Sequence, residues 1–205
     1  MMISKRQIQK DQTRKELIEV AFKQFAAEGL SKTRTSDIAS AAGVSHGTVF
    51  AHFATRDDLL IAVIDEFGKR VAGRIHELAS GGGSVREVLQ AHLNGLIEVE
   101  PFYMRLVSEG TILPSSAQSA LITIQSAISI HLNQAADHEI AAGKIRNIPL
   151  HLLFNTWIGL IHYYLSNANL FAPGESVLKR YGTELLEHYL GLITITAVQA
   201  YDENG

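Results

Sequence analysis

Apolar residues recur along this chain at intervals of three and four, and that spacing predicts helix nearly throughout. No run of alternating apolar and polar positions bounded by turn signals stands out, so strands are not expected. The first stripe is Leu17, Ile18, Ala21, Phe22 and Phe25, on a helix expected from about Asp11 to Glu28 and closed by Gly29. A short helix is expected from Ser36 to about Ala42, with Thr35 as its N-cap and Asp37 in its first turn. Gly43 breaks it, and Ser45 caps a second short helix from His46 to about Phe53. Thr55 caps a longer helix from Arg56, with Asp58 placed to complete a capping box.

Further on, Ser80 to Gly83 reads as a flexible loop and Ser84-Val85-Arg86-Glu87 as a capping box. Pro101 and Pro114 divide the middle of the chain. A long helix is expected from Ser115 or Ser116 to about Ala142, closed by Gly143. Pro149 opens a very apolar helix to about Asn169, Pro173-Gly174 makes a turn, and a last helix is expected from Glu175 to about Gln199. The expected architecture is all-α with nine or so helices, and no internal repeat or low-complexity tract is present.

Composition narrows the class. The 205 residues are 46% hydrophobic, enough to bury a sizeable core, and they include no cysteine. Disulfides and thiolate metal sites are therefore excluded, and a reducing cytoplasmic setting is expected. The polar, basic N-terminus lacks the apolar core of a signal peptide. The most apolar stretch, Pro149 to Leu165, falls short of the ~20 residues of a membrane span, so no membrane partner is expected. The net charge of -3 hides an asymmetry. Residues 1–56 hold nine Lys/Arg against five Asp/Glu, and the remainder hold nine against sixteen. A basic head on an acidic body is the distribution expected when one end meets phosphate.

The basic head contains the segment TSDIASAAGVSHGTVFAHF, Thr35 to Phe53. Ile38, Ala39, Ala42, Val44, Val49 and Phe53 are spaced to pack two short helices against a third, with Gly43 in a tight turn between them. The second short helix then presents His46, Gly47, Thr48, Phe50, Ala51 and His52, mostly small or polar, as entry into the major groove requires. With Ala21-Phe22, Phe25, Gly29, Thr35, Asp37-Ile38-Ala39, Ala42-Gly43-Val44-Ser45, Gly47-Thr48, His52-Phe53 and Asp57-Asp58-Leu59, the first 60 or so residues resemble the TetR family of one-component regulators. Two positions depart from the family pattern: Phe50 stands where tyrosine is common, and Ala51 where a larger polar or aromatic residue is common.

The resemblance implies a helix-turn-helix DNA-binding domain over residues 1–55 and a helical effector-binding and dimerisation domain over 56–205. Thr35, Ser45 and His52 are then candidates to hydrogen-bond phosphates, with Lys32, Arg34 and Arg56 adding charge to that contact. Helix capping alone is the competing role for Thr35 and Ser45. His46, Gly47, Thr48 and Phe50 are the candidates to face base edges. The arm Lys5, Arg6 and Lys10 is either a further DNA contact or a solvated tail.

The body shows no nucleophile elbow, phosphate loop or zinc-type spacing, so neither an enzyme nor a cofactor or metal site is expected. His131 and His138 lie seven apart on one helix, two turns from each other, too far for one ion unaided. The helix Leu150 to Leu165 is apolar almost all round and the last helix carries a broad stripe, so both need cover on more than one side. Gly159, Gly182 and Gly191 would permit close approach there. In the resembled family the last two helices pair across a two-fold axis, which predicts a homodimer reading a palindromic operator. The family also carries a ligand pocket. The candidates here are Phe67, Leu96, Phe102, Tyr103, Met104, Leu106, Ile124, Ile128, His131, Trp157 and His162, for a small, mostly apolar or aromatic effector. A ligand-independent DNA binder of the same fold is the alternative.

Overall fold

A serine at position 4 decides where the first helix begins. In the computed structural model, which describes residues 4–79 and 83–195, the Ser4 side chain accepts from the Gln7 amide, and α1 runs Lys5–Glu28. The helix thus starts two turns before the Asp11 read from the sequence. Its early turns carry no apolar stripe and rest on polar i,i+4 pairs, Gln7 with Asp11 at 2.8 Å and Gln12 with Glu16 at 2.9 Å. A search for hydrophobic period does not register them.

Nine more helices follow among the described residues: α2 Thr35–Ala41, α3 His46–His52, α4 Arg56–Ala79, α5 Val85–Glu98, α6 Glu100–Glu109, α7 Ser115–Ala141, α8 Leu150–Ser166, α9 Ala168–Phe171 and α10 Val177–Ile193. Thr35 is the first helical residue of α2 and not its cap. The cap is Arg34, whose amide donates to Asp37 Oδ2 at 3.0 Å. The apolar helix expected from Pro149 to Asn169 is interrupted at Asn167, which separates α8 from the single turn of α9. The expected loop at Ser80 to Gly82 and the expected end of the last helix at Gln199 lie outside the described residues.

The chain divides into two compact units. The first takes residues from 1–69 and 101–123. Its core joins the predicted stripe of α1 to Leu30, Ile38, Ala39, Val49, Phe53, Leu59, Leu60, Val63 and Ile64, all buried. Phe22 stacks on Phe102 with ring centroids 4.3 Å apart, and Phe67 stacks on Tyr103 at 5.3 Å. Two charged side chains of α6 fasten the end of α1. The Arg105 guanidinium donates to the carbonyls of Ala26 and Ala27. The Glu109 carboxylate accepts from the amides of Leu30 and Ser31, beyond Gly29, whose φ of 101° turns the chain. A cation on terminal carbonyls and an anion on free amides satisfy the groups a helix end and its following turn leave open.

The second unit takes residues from 70–100 and 124–205 and is built on the packing of α5, α8 and α10. Trp157 is fully buried, and its indole Nε1 donates to His92 Nδ1 at 3.0 Å. The buried Tyr189 hydroxyl donates to the Leu153 carbonyl. Arg86 makes a two-pronged pair with Glu187 between α5 and α10. Gly182 packs under Leu93 of the same chain, so its close approach serves this core and not a partner. Gly95 is tighter still: a Cβ there would lie 3.0 Å from Val71 Cα and 3.1 Å from the Val71 carbonyl. Backbone cannot swing aside as a side chain can. Overpacking of this kind costs about 2 kcal/mol, and alanine recovers about 1 kcal/mol through its better helix propensity. Gly95→Ala is therefore expected to destabilise the protein by about 1 kcal/mol, read as a lower urea midpoint at unchanged m-value. A midpoint at or above that of the wild type would overturn this account of the packing.

Candidate nucleic-acid interface

The turn between α2 and α3 is built from local rules. Gly43 adopts φ 65°, a left-handed value that glycine takes without strain. Its amide donates to Ser40 O at 3.1 Å, and the next amide, Val44, donates to Ala39 O at 3.0 Å. Ser45 then caps α3, accepting from the Thr48 amide at 3.1 Å while its hydroxyl shares a 2.8 Å hydrogen bond with the Thr48 hydroxyl. Val49 and Phe53 turn inward and are buried. The opposite face of α3 carries His46, Gly47, Phe50 and Ala51, all exposed, with Thr48 and His52 half-buried.

The candidate residues meet unequal fates. Lys32 and Arg34 are exposed, beside the half-buried Thr35. Thr35 Oγ1 and His46 Nε2 share a 2.8 Å hydrogen bond, which ties the start of α2 to the start of α3. The His46 ring in turn meets Phe50 edge to face, centroids 4.8 Å apart. Arg56 is engaged elsewhere. Its Nε donates to Thr33 O at 3.0 Å, a second nitrogen donates to Leu30 O, and the guanidinium lies over the Phe25 ring. It holds the α1–α2 connection in place, so removing it would disturb the packing as well as the charge.

His52 faces the start of α1. A cleft of about 820 Å³ opens there, lined by Lys5, Arg6 and Lys10 of α1 and by Ala51 and His52 of α3. The arm is therefore helical and sits beside the end of α3. His52 Nδ1 is buried with no partner among the described residues. Burial, and then the charges of Lys10 and Arg14, push the His52 imidazole below its ordinary value. At neutral pH it is an uncharged group inside a positively charged cleft. Neither the Thr35–His46 bond nor this cleft has a signature in the sequence, because each joins residues of different helices at no fixed period.

The candidates for ligand lining fall into both units. Phe67, Phe102, Tyr103 and Leu106 are buried in the first, with Met104 half-buried beside them. Leu96, Ile128 and Trp157 are buried in the second, with Ile124, His131 and His162 half-buried. The second unit also buries His92, which the sequence reading passed over. Burial holds the His92 imidazole down to about 3 and also lowers His162. The His131 ring lies 5.8 Å from that of His76, and His138 is exposed. Among the described residues no three His, Asp or Glu side chains gather as metal ligands, and no helix is long and apolar enough to cross a membrane.

Among the described residues, α2 and α3 with the Gly43 turn between them form a helix-turn-helix near the N-terminus. Residues 17–63 match the family described as bacterial regulatory proteins, tetR family. The chain is similar to the "Probable acrEF/envCD operon repressor" of Escherichia coli (strain K12), with 33% identity over 138 residues, which cover 65% of this chain and 54% of that protein. The chain thus spans about half the length of this relative. It is also similar to the "HTH-type transcriptional repressor KstR2" of Rhodococcus jostii (strain RHA1), 32% identical over 78 residues, 38% of each protein. Among solved structures, a TetR-family regulator from Agrobacterium tumefaciens superposes with a TM-score of 0.74 over 91% of this chain and all of that one, at 18% identity. The regulator FadR from Bacillus subtilis, solved with stearoyl-CoA, does so at 0.70 over 86% and 97%, at 20% identity. At these identities the likeness is one of fold.

Proposed function

We propose that this protein is a cytoplasmic homodimeric repressor of the TetR family that binds a palindromic operator and releases it on binding a small, mostly apolar or aromatic effector. The observation that carries the reading is the outer face of α3: a short, firmly capped helix whose exposed side chains are small or aromatic, flanked by Lys32, Arg34 and the basic cleft of α1. Cations beside such a face neutralise phosphates while the face itself meets base edges. Lys32 and Arg34 contact backbone, and His46, Gly47, Thr48 and Phe50 face bases.

Pairing through α8 and α10 is supported by their outer faces. Leu152, Tyr163 and Leu192 are exposed, and Gly159 and Gly191 have open space where a side chain would stand. Two-fold pairing of the readers matches a two-fold operator. Effector control is supported by the FadR complex with stearoyl-CoA, a statement about that protein. The packing of Phe67 against both Phe102 and Tyr103 favours a second reading, a ligand-independent repressor, at those positions.

Selection of bound DNA from a random pool tests the reading. One palindromic sequence is expected to enrich. On it, Arg34→Ala should weaken binding to all DNA alike and reduce the salt slope by about one. Thr48→Ala should relax the sequence preference and leave the salt slope unchanged. Enrichment of no sequence would sink the reading, and identical behaviour of the two variants would sink the division of roles.

A further inference from the structure

The chemistry on the face of α3 restricts what it can read. A base edge in the major groove is recognised by hydrogen bonds, best made in pairs by Arg, Lys, Asn, Gln, Asp or Glu, or by apolar contact with the thymine methyl. From His46 to His52 the helix holds none of those six residue types. Two of its polar groups already hold internal hydrogen bonds, and a third is buried. His46 Nε2 is bonded to Thr35, the Thr48 hydroxyl to Ser45, and His52 Nδ1 is buried. Beside the exposed His46 and Gly47, this face presents apolar surface to solvent: the phenyl ring of Phe50, 42% exposed, and the methyl of Ala51.

Two independent features point to contact with a partner. The Phe50 ring is held edge to face against His46, which is itself fixed by Thr35, so its direction is set before DNA arrives. One turn earlier, Gly47 has no internal reason to be glycine. Its φ is not positive, and a Cβ there would meet only Ser45 Oγ at 3.8 Å. A bare position beside an exposed ring clears room for another surface to approach closely.

We infer that Phe50, with Ala51 beside it, reads thymine C5-methyl groups, so that the operator half-site is specified at that step by a methyl and not by a hydrogen-bond pattern. This rests on the reading of α3 as the DNA-facing helix. A phenyl ring offers neither donor nor acceptor, and the thymine methyl is the apolar feature of a base edge in that groove. Uracil presents the same hydrogen-bonding edge without the methyl, so the inference separates two bases that hydrogen-bonding readout treats alike.

The test uses the full-length protein and the operator selected above, with each thymine of a half-site replaced in turn by deoxyuridine and the Kd read by fluorescence anisotropy. At one or two positions the wild type is expected to lose about fourfold per methyl, the worth of one buried CH2 group. In Phe50→Ala, a surface change whose melting temperature is checked against the wild type, the dT-to-dU ratio at those positions should fall to about one. Equal binding of dT and dU at every position by the wild type overturns the inference and leaves the operator reading intact. So does a penalty that survives in Phe50→Ala. Failure to enrich any operator overturns both.

Discussion

Glu100→Ala is expected to destabilise the protein by about 3 kcal/mol, among the largest effects of a single truncation here. Glu100 is 3% exposed, and its carboxylate accepts three hydrogen bonds: from the Ser176 hydroxyl, from the Val177 amide at 2.8 Å and from the Leu178 amide at 3.3 Å. The two amides are among the donors that open α10, which no intrahelical carbonyl satisfies. An anion there also meets the positive end of the helix dipole. Bonds to a charged acceptor are worth about 1.5–3 kcal/mol each, but three bonds to one group do not add, and alanine leaves the donors buried without partners. Glu100→Gln keeps one acceptor oxygen and should cost about half as much. Urea unfolding of the three proteins at pH 7 decides the matter. An alanine variant within 1 kcal/mol of the wild type would falsify the capping role. Because α10 is a proposed pairing helix, the alanine variant should also dissociate at higher protein concentration than the wild type.

Local chemistry made much of the fold readable. Thr55 and Asp58 exchange backbone bonds at 2.9 and 3.0 Å, and Ser84 and Glu87 do so at 2.7 and 3.3 Å, as their spacing predicts. Gly43 takes the turn conformation expected of it. Each of these acts within four residues, where sequence order and spatial order coincide. The bonds that define the interior do not. Thr35 meets His46 eleven residues away, His92 meets Trp157 sixty-five away, and Glu100 meets Val177 seventy-seven away. No period in the sequence encodes such meetings. Arg56 illustrates the cost of that blindness. Its charge and position read as a phosphate contact, whereas its guanidinium is bonded to the carbonyls of Leu30 and Thr33. The candidate lining residues show a related ambiguity, since Phe67, Phe102 and Tyr103 satisfy the apolar pattern of a pocket and of a packed core equally well.

The buried His92 predicts an acid-sensitive body. Its Nδ1 accepts from the Trp157 indole, so the proton of the neutral ring sits on Nε2, and no second proton can be added without breaking that bond. Desolvation, helped by the neighbouring His162, pushes the group down to about 3, against 6.5 for the free side chain. In the unfolded chain the ring takes up its proton as pH falls through 6.5, whereas in the folded chain it stays neutral to about 3. The unfolded state therefore binds more protons across that window, and stability falls with pH by up to about 1.4 kcal/mol per unit. The contribution is fully present above pH 6.5, and about 3 kcal/mol of it is gone by pH 4. His162 and His52, both also lowered, act in the same direction. Carboxylates such as Glu87, Glu109 and Glu187, held below their ordinary value of 4.5, begin to contribute only below about pH 5. The interval from pH 7 to 5.5 thus isolates the histidines. Over it, urea unfolding of the wild type should lose more than 1 kcal/mol, and His92→Gln, which keeps an acceptor for Trp157 but cannot titrate, should lose about 1 kcal/mol less. An unchanged pH slope in the variant would show that His92 is protonated in the folded chain as readily as in the unfolded one.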